Sequence, residues 1–252
     1  MSYVCALTLC LGLVVAVVAP ATAGNVACPT VAAPPITDLP NTRAAISDGR
    51  ALVIVAIGSS STEGSHATVP AHAYPARLQD VLTRALSGTR VAVLNKGIGG
   101  QDAADTMARF DQDVIAHHPA LAIWQVGANG ALRDTDPADF RGMIAAGIAR
   151  LQAAGIDVVL MDNQRAPQIE RHPHRVAIEQ ALAEQAAAQG VGLFPRGALM
   201  DGWATAGYPN VDFLASDGLH HNDRGYDCVA RALAAAIVAG VGRPATIMGA
   251  NP

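Results

Sequence analysis

The chain has 252 residues, of which 51% are hydrophobic and only 15% are charged, a composition that suits a single α/β domain and excludes a disordered or fibrous chain. The formal net charge is −4 and the basic residues form no cluster, so the sequence lacks the electrostatic footprint of a nucleic-acid-binding protein. We therefore expect one α/β domain that does not bind nucleic acid.

Residues 1–23 have the pattern of a signal peptide. An apolar run at residues 4–18 is followed by small residues up to Ala23, which predicts cleavage there and export to the periplasm or the medium. The run is shorter than the roughly 20 apolar residues that span a bilayer, so we expect no stable membrane insertion after cleavage. Arg43 is the first basic residue, so the usual positive segment before the run is missing, and an uncleaved anchor is the alternative.

Residues 24–48 carry four prolines without hydrophobic periodicity, which predicts an extended leader rather than a folded unit. Cys28 lies in this leader and Cys228 lies near the end of the chain, both outside the predicted signal peptide. An exported chain with two such cysteines favours a disulfide between them, and two free thiols are the alternative.

Apolar runs and helical patterns alternate through residues 49–240, which we predict to be the folded domain. The apolar runs occupy residues 51–57, 91–94, 121–126, 156–161 and 191–194. Because each run is continuously apolar rather than alternating, both faces of each strand should be buried. This pattern predicts a parallel sheet with helices on each side.

Helical spacing of apolar residues fills several segments between these runs. Helices are predicted at residues 74–86, from Pro137 behind an N-capping Asp136, at residues 175–189, and from Asn222 to about residue 239. The connection at residues 195–221 shows no pattern, and a structureless loop of that length in a compact domain is usually functional. The tail, residues 241–252, is predicted to be irregular.

Ser60 stands in a turn rich in glycine and serine directly behind the first predicted strand. A serine hydroxyl is a weak nucleophile, so it needs a general base, a carboxylate to orient that base, and donors for the developing oxyanion. His220 suits the role of the general base and Asp217 that of the orienting carboxylate, because residues three apart can face the same way on one turn. Loops containing Gly100 and Asn129 follow the second and third predicted strands, and such loops meet at the carboxyl edge of a parallel sheet.

In their joint order and spacing, these segments resemble the SGNH hydrolases of the GDSL esterase/lipase family, over nearly the whole predicted domain. The resemblance implies a flavodoxin-like, three-layer α/β/α fold with a five-stranded parallel sheet. It assigns Ser60 as the nucleophile, His220 as the general base and Asp217 as its orienting partner. It also implies an oxyanion hole made of the backbone N–H groups of Ser60 and Gly100 and the side-chain amide of Asn129. Such a mechanism needs no metal or cofactor.

Several neighbouring residues compete for these roles. Ser59 stands where the family usually has aspartate, which leaves open how the turn is supported. Ser59 and Ser61 are rival nucleophiles, although neither keeps the spacing to the flanking glycines. Gly97 and Gly99 are alternative donors of the second oxyanion N–H, and His221 is the rival base.

Other residues suggest where a substrate would bind. Gln164 and Arg165 follow the fourth predicted strand and are predicted to contact the substrate at the rim of the site, with a solvated loop as the alternative. Trp203 and Tyr208, in the long connection, could stack on a sugar or an acyl chain. The histidine pairs at residues 117–118 and at 172 and 174 lack further ligands at metal-site spacing, so we expect no metal there.

We therefore predict an exported serine esterase that removes a short acyl group, such as acetyl, from an alcohol such as a carbohydrate hydroxyl through an acyl-enzyme. Exposed turns at the edge of the sheet, in place of a long apolar groove, favour a small acyl group. The alternatives are acyl transfer to a sugar acceptor by the same residues and a carbohydrate-binding protein that retains the fold without catalysis.

Overall fold

The computed structural model describes residues 27–31, 36 and 38–242 of the chain. Five parallel strands form one sheet in the order β2–β1–β3–β4–β5. The strands are β1 at Leu52–Gly58, β2 at Val91–Gly97, β3 at Leu121–Gln125, β4 at Asp157–Met161 and β5 at Gly192–Phe194. The predicted five-stranded parallel sheet is confirmed.

Helices connect the strands and cover the sheet. They are α1 at Pro40–Ser47, α2 at Ser60–Glu63, α3 at Tyr74–Ala85, α4 at Ala103–Ala108, α5 at Phe110–Asp113, α6 at Ala128–Leu132, α7 at Pro137–Ala153, α8 at Pro167–Glu170, α9 at Arg175–Gln189, α10 at Arg196–Thr205 and α11 at Asp223–Gly240. Short 3₁₀ turns occupy Pro70–His72, Ile115–His117 and Asn210–Phe213. α3 packs against α11, and α7 packs against α9. The crossover from β1 to β2 runs toward one edge of the sheet, and those from β3 to β4 and β4 to β5 run toward the other edge. Right-handed crossovers therefore place α3 on one face and α7 and α9 on the opposite face, and α11 lies on the face of α3, against which it packs.

The central strands are buried on both faces, as their continuous apolar sequences require. Every residue of β3 and β4 is buried, whereas β2 lies at an edge of the sheet and is only partly buried. β2 also extends past its apolar run to Gly97, because this polar end pairs with the last residues of β1. Gly97 is thereby brought next to Gly58, where the chain turns toward Ser60.

The predicted helices are present as α3, α7, α9 and α11. Asp136 caps α7 by accepting hydrogen bonds from the backbone N–H groups of Ala138 and Asp139. Asn222 caps α11 by accepting a hydrogen bond from the N–H of Gly225. Caps of this kind lie within three residues of the helix start, which is why the sequence locates these helices well.

The segment predicted to be an extended leader, residues 24–48, contains α1 instead. Leu39 and Ala45 are buried in the core of the domain. The backbone N–H of Leu39 donates to the carbonyl of Gly240, at the end of α11. This part of the segment therefore belongs to the folded domain and does not lie on its surface as a leader.

The start of α1 is capped by a carboxylate from the sheet. Asp157, the first residue of β4, accepts hydrogen bonds from the backbone N–H groups of Asn41 at 3.2 Å and Thr42 at 2.8 Å. The side chains of Asn41 and Thr42 donate to the same carboxylate. A cap from so distant a position leaves no local signal, which explains why the sequence pattern did not predict α1.

The predicted disulfide between Cys28 and Cys228 is present and ties the segment before α1 to α11. The predicted signal peptide, residues 1–23, and all but the first residues of the predicted irregular tail lie outside the described residues. In the part of the chain that the structure describes, no helix has the length and apolar character needed to cross a bilayer.

The connection at residues 195–221, predicted to lack structure, contains α10 and the 3₁₀ turn Asn210–Phe213. Trp203 on α10 is 1% exposed, and its ring lies 4.5 Å from that of Phe213 between centroids. It therefore packs in the core and is not available to stack on a substrate. Residues 214–221 form the loop, named the acid–base loop below, that carries Asp217 and His220 into the site.

Candidate active site

Ser60 is the first residue of α2 and lies just beyond the end of β1. Its backbone N–H is in the first turn of a helix, where N–H groups have no intrahelical partner. The turn approaches both strands so closely that glycine is required in each. A Cβ atom on Gly58 would overlap Thr62 Oγ1, and one on Gly97 would overlap the backbone of Glu63. The ends of β1 and β2 thus fix the position of Ser60.

Gln125, the last residue of β3, holds the same turn through its side chain. Its Oε1 atom accepts hydrogen bonds from the backbone N–H of Ser59 at 2.9 Å and from the hydroxyls of Ser59 and Thr62 at 3.1 Å each. Gln125 is only 2% exposed, so water cannot replace it as the acceptor. The turn is therefore supported by Gln125, although Ser59 stands where the resemblance implies an aspartate.

The hydroxyl of Ser60 faces His220, with 2.7 Å between Ser60 Oγ and His220 Nε2. The rival nucleophiles are buried, since Ser59 is 4% exposed and Ser61 is 2% exposed. The Ser59 hydroxyl also donates to Gln125. The structure thus brings Ser60, and neither of its neighbours, to the predicted base.

His220 and Asp217 form a local pair in the loop before α11. The Nδ1 atom of His220 lies 2.6 Å from Asp217 Oδ2, and Asp217 Oδ1 accepts from the backbone N–H groups of Leu219 and His220. Because Nδ1 faces a carboxylate, that nitrogen carries the proton and Nε2 is left to accept from Ser60. Partial burial raises the pKa of Asp217, but the hydrogen bonds from His220 and Leu219 outweigh it and hold the pKa below its ordinary value. The carboxylate therefore stays ionised at neutral pH.

A buried polar chain supports this loop. Gln164 Nε2 donates to the carbonyl of Leu219 at 2.8 Å, and Gln164 Oε1 accepts from the guanidinium of Arg196 at 2.7 Å. Gln168 Nε2 donates to the carbonyl of Asp217 at 2.7 Å. Gln164 and Arg196 are almost completely buried. The placement of Asp217 therefore depends on residues that follow β4 and begin α10.

The structure does not place Gln164 and Arg165 at the rim of a substrate site. Gln164 is 1% exposed and is committed to the loop contacts described above. The guanidinium of Arg165 donates to Glu179 at 2.9 Å and to Asp201 at 3.0 Å. These side chains hold the fold around the site, so the prediction of substrate contacts is corrected.

His221, the rival base, points into the core. Its Nδ1 atom lies 3.0 Å from the carbonyl oxygen of Phe213, and its ring packs edge-on against Tyr226. Complete burial lowers the pKa of His221 to about 3. His221 is thus a neutral core residue, while the adjacent His220 reaches Ser60.

The loops containing Gly100 and Asn129 meet beside the turn at residues 58–64 that carries Ser60, named the nucleophile turn here. A Cβ atom on Gly99 would lie 3.9 Å from the Cβ of Ser60, so this loop runs directly past the nucleophile. The side-chain amide of Asn129 donates to the carbonyl of Gln101 at 2.7 Å, which ties the start of α6 to the loop after β2. A primary amide has two N–H groups, so one remains for a ligand.

His66 is a further residue of the site that no sequence pattern reveals. Its Nε2 atom lies 3.2 Å from Asp217 Oδ2, and its ring stacks on that of His220 with centroids 5.2 Å apart. It lies in the connection between α2 and α3, at no spacing that marks it as a partner of Asp217. Gln125 is also not identified from the sequence, although a polar residue at the end of an apolar run is a usable signal.

A model of the non-GDSL lipase-like family matches residues 25–243, which is most of the chain. The chain belongs to this family. The resemblance to the GDSL and SGNH group of lipolytic esterases, expected from the nucleophile turn and the acid–base loop, is thereby confirmed.

Known relatives and solved structures agree with the family match. An arylesterase from Vibrio mimicus is 28% identical to this non-GDSL lipase-like protein over 108 residues, which are 43% of the chain and 52% of that relative. The match thus spans about half the length of the curated relative.

Two solved structures share the fold. An acetylxylan esterase from Geobacillus stearothermophilus has a TM-score of 0.61 at 19% identity, covering 77% of this chain and 95% of that one. A two-domain esterase active on acetylated mannans has a TM-score of 0.69 at 18% identity, covering 86% of this chain and 58% of that one. At these sequence identities, the similarity to the two esterases shows a shared fold and nothing further.

Proposed function

We propose that this member of the non-GDSL lipase-like family is an exported serine esterase that removes short acyl groups, such as acetyl, from carbohydrate hydroxyls. The observation that carries the proposal is the continuous hydrogen-bonded chain from Ser60 Oγ through His220 to Asp217, with distances of 2.7 and 2.6 Å. A hydroxyl, an imidazole and a carboxylate in this order form the arrangement that activates a serine for acyl transfer.

In the first half of the reaction, Ser60 Oγ attacks the ester carbonyl carbon while His220 Nε2 takes the hydroxyl proton. Asp217 keeps the ring oriented through Nδ1–H and stabilises the imidazolium that forms. The imidazolium then gives its proton to the leaving alcohol, and the acyl group stays on Ser60. Water, deprotonated by His220, attacks this acyl-enzyme, and collapse of the second tetrahedral intermediate releases the acid and restores Ser60.

The carbonyl oxygen becomes negatively charged in each half-reaction and needs preorganised donors. The backbone N–H groups of Ser60 and Gly100 and the free N–H of Asn129 would supply them. The hydrogen bond from Asn129 to Gln101 supports this role, because it fixes the amide against the loop that contains Gly100.

Two features support a small acyl group on a carbohydrate. Gly99 lies beside Ser60, His66 stacks on His220, and Asn129 is tied to the loop after β2, so each of these three residues of the site is small or polar. The structural neighbours include an acetylxylan esterase and an esterase active on acetylated mannans. Export is supported by the apolar run at residues 4–18 and by the disulfide between Cys28 and Cys228, since disulfides persist in oxidising compartments.

The test compares turnover of 4-nitrophenyl acetate, butyrate and octanoate, and of an acetylated xylo-oligosaccharide, by the wild-type protein and Ser60→Ala. We expect the highest kcat/KM with acetyl esters and no turnover by the variant. Product analysis with and without a sugar acceptor separates hydrolysis from acyl transfer. A folded wild-type protein that hydrolyses none of these esters would contradict the proposal and favour a non-catalytic carbohydrate-binding role.

A further inference from the structure

His66, Asp217 and His220 form a cluster that is open to solvent on the His66 side. The side chain of His66 is 44% exposed, that of Asp217 is 26% exposed and that of His220 is 14% exposed. The mechanism proposed above uses Asp217 and His220 but gives no role to His66. The carboxylate of Asp217 thus faces two imidazoles, those of His220 and His66, and the presence of the second needs a separate explanation.

The ligand atoms of these three side chains are close enough to share one metal ion. They all lie within 4.8 Å of one another. Asp217 Oδ2 is 2.6 Å from His220 Nδ1 and 3.2 Å from His66 Nε2. Zinc takes imidazole nitrogen and carboxylate oxygen at about 2.0–2.2 Å in a tetrahedral arrangement, which places neighbouring ligand atoms roughly 3.3 Å apart. Asp217 Oδ2 already has about this spacing to His66 Nε2, and a movement of His220 by a fraction of an ångström would bring Nδ1 to it. Because the two rings lie within 18° of parallel, the exposed ring of His66 must also turn to direct its lone pair at the same ion. Three protein ligands then leave the fourth position for water.

The loop that carries His66 is fastened on both sides of that residue by α11. The hydroxyl of Tyr226 donates to the carbonyl of Ser65 at 2.7 Å. On the other side, Asp223 accepts from the backbone N–H of Thr68 at 2.9 Å and from its hydroxyl at 2.6 Å. These contacts hold His66 at a φ of 66°, a left-handed conformation that is costly for histidine and that clusters at functional sites. The backbone of the third ligand is therefore held beside Asp217, and only its side chain has to turn toward an ion.

We propose that His66 completes a divalent-metal site with Asp217 and His220, through which Zn²⁺ reversibly inhibits the enzyme. The ion would bind the lone pair of His220 Nδ1, so the ring proton moves from Nδ1 to Nε2 and none is lost. Nε2–H then donates to Ser60 Oγ and cannot accept its proton. Asp217 exchanges its hydrogen bond with Nδ1 for a bond to the metal. The inhibitory part of this inference rests on the proposed esterase function, whereas the metal site itself does not.

The site is tested by calorimetric titration of Zn²⁺ into Ser60→Ala, which requires no esterase activity, after removal of any affinity tag. We expect one ion per chain. His66→Ala in this background should weaken binding on the order of 100-fold, since loss of even an outer-shell partner costs roughly 10–100-fold. His66→Gln should weaken it equally, because an amide can replace the N–H toward Asp217 but is not a zinc ligand. His172→Ala is the matched control, since His172 also lies beside a carboxylate, that of Asp134 at 3.4 Å.

Inhibition is tested on the wild-type protein over the same Zn²⁺ concentrations. Turnover of 4-nitrophenyl acetate should fall as the site fills and return on addition of EDTA. An inactive wild-type protein that still binds one zinc ion through His66 would contradict the proposed function but not the metal site. Absence of one-site binding, or equal binding by His66→Ala, would overturn the metal site, and full activity at saturating zinc would overturn inhibition.

Discussion

The nucleophile turn, residues 58–64, and the acid–base loop, residues 214–221, meet at one hydrogen bond but are held in place by different means. The turn is wedged between two strand ends that leave no room for a side chain on Gly58 or Gly97, and Gln125 accepts three of its donors. The loop has local hydrogen bonds to Asp217, and a buried chain through Gln164 holds its backbone. The nucleophile is thus positioned by close packing against two strand ends together with one buried acceptor, whereas hydrogen bonds to the loop position the base.

The largest contrast is expected between the two adjacent histidines of the acid–base loop. His220→Ala should lower kcat by about 10⁵–10⁶, because loss of the base of a serine triad costs as much as loss of the triad. His221→Asn should retain most of the activity, since asparagine can still donate to the carbonyl of Phe213. Steady-state kinetics beside melting curves measures both. A comparable loss in a well-folded His221→Asn protein would contradict the assignment of the base.

Asn129→Ala should produce the next largest effect. Removal of one oxyanion donor typically lowers kcat by about 100- to 1,000-fold, or about 2.7–4 kcal/mol, with little change in KM, because the donor acts on charge that exists only in the transition state. If Asn129 instead only ties α6 to Gln101, the variant should lose thermal stability and keep the kcat of its folded fraction. A normal kcat in a well-folded variant would remove Asn129 from the site.

Replacing each of two buried glutamines with methionine tests the support of the nucleophile turn and the support of the acid–base loop separately. Gln125→Met leaves the N–H and hydroxyl of Ser59 without their acceptor, and Gln164→Met leaves the Leu219 carbonyl without its donor. Each should destabilise the fold by about 1–3 kcal/mol and lower kcat by roughly 10–100-fold, since a 1 Å displacement can cost that much.

Hydrogen exchange distinguishes the two glutamine variants. Backbone amides of residues 215–221 should exchange faster in Gln164→Met and remain unchanged in Gln125→Met. Unchanged exchange of this loop in Gln164→Met would show that the buried chain does not hold the base.

The smallest effect concerns stability rather than turnover. Burial lowers the pKa of His221 to about 3, whereas in the unfolded chain histidine titrates near 6.5. The unfolded state therefore binds more protons between these values, and His221 should reduce the free energy of unfolding by up to about 1.4 kcal/mol for each pH unit below 6.5. Urea unfolding at pH 7, 6 and 5 should give a shallower decline for His221→Asn. Parallel declines would mean that His221 is not buried in its neutral form.

The sequence located what depends on local patterns. The apolar runs predicted the strands, the caps Asp136 and Asn222 marked helix starts, and the spacing of Asp217 and His220 marked the acid–base pair. Contacts between distant segments left no such signal. α1 depends on Asp157 in β4. The position of Gln164 after a strand predicts a place at the rim, because that position does not reveal that the side chain is buried.

Mass spectrometry after treatment with an organophosphonate tests the central claim most directly, because the reagent bonds to the serine that the base activates. We expect one adduct on Ser60 in the wild-type protein and in Ser61→Ala, and none in Ser60→Ala. His221→Asn should also be labelled. An adduct on another serine in a folded Ser60→Ala protein would contradict the account, since it would mean that His220 activates a hydroxyl other than the one 2.7 Å from its Nε2 atom.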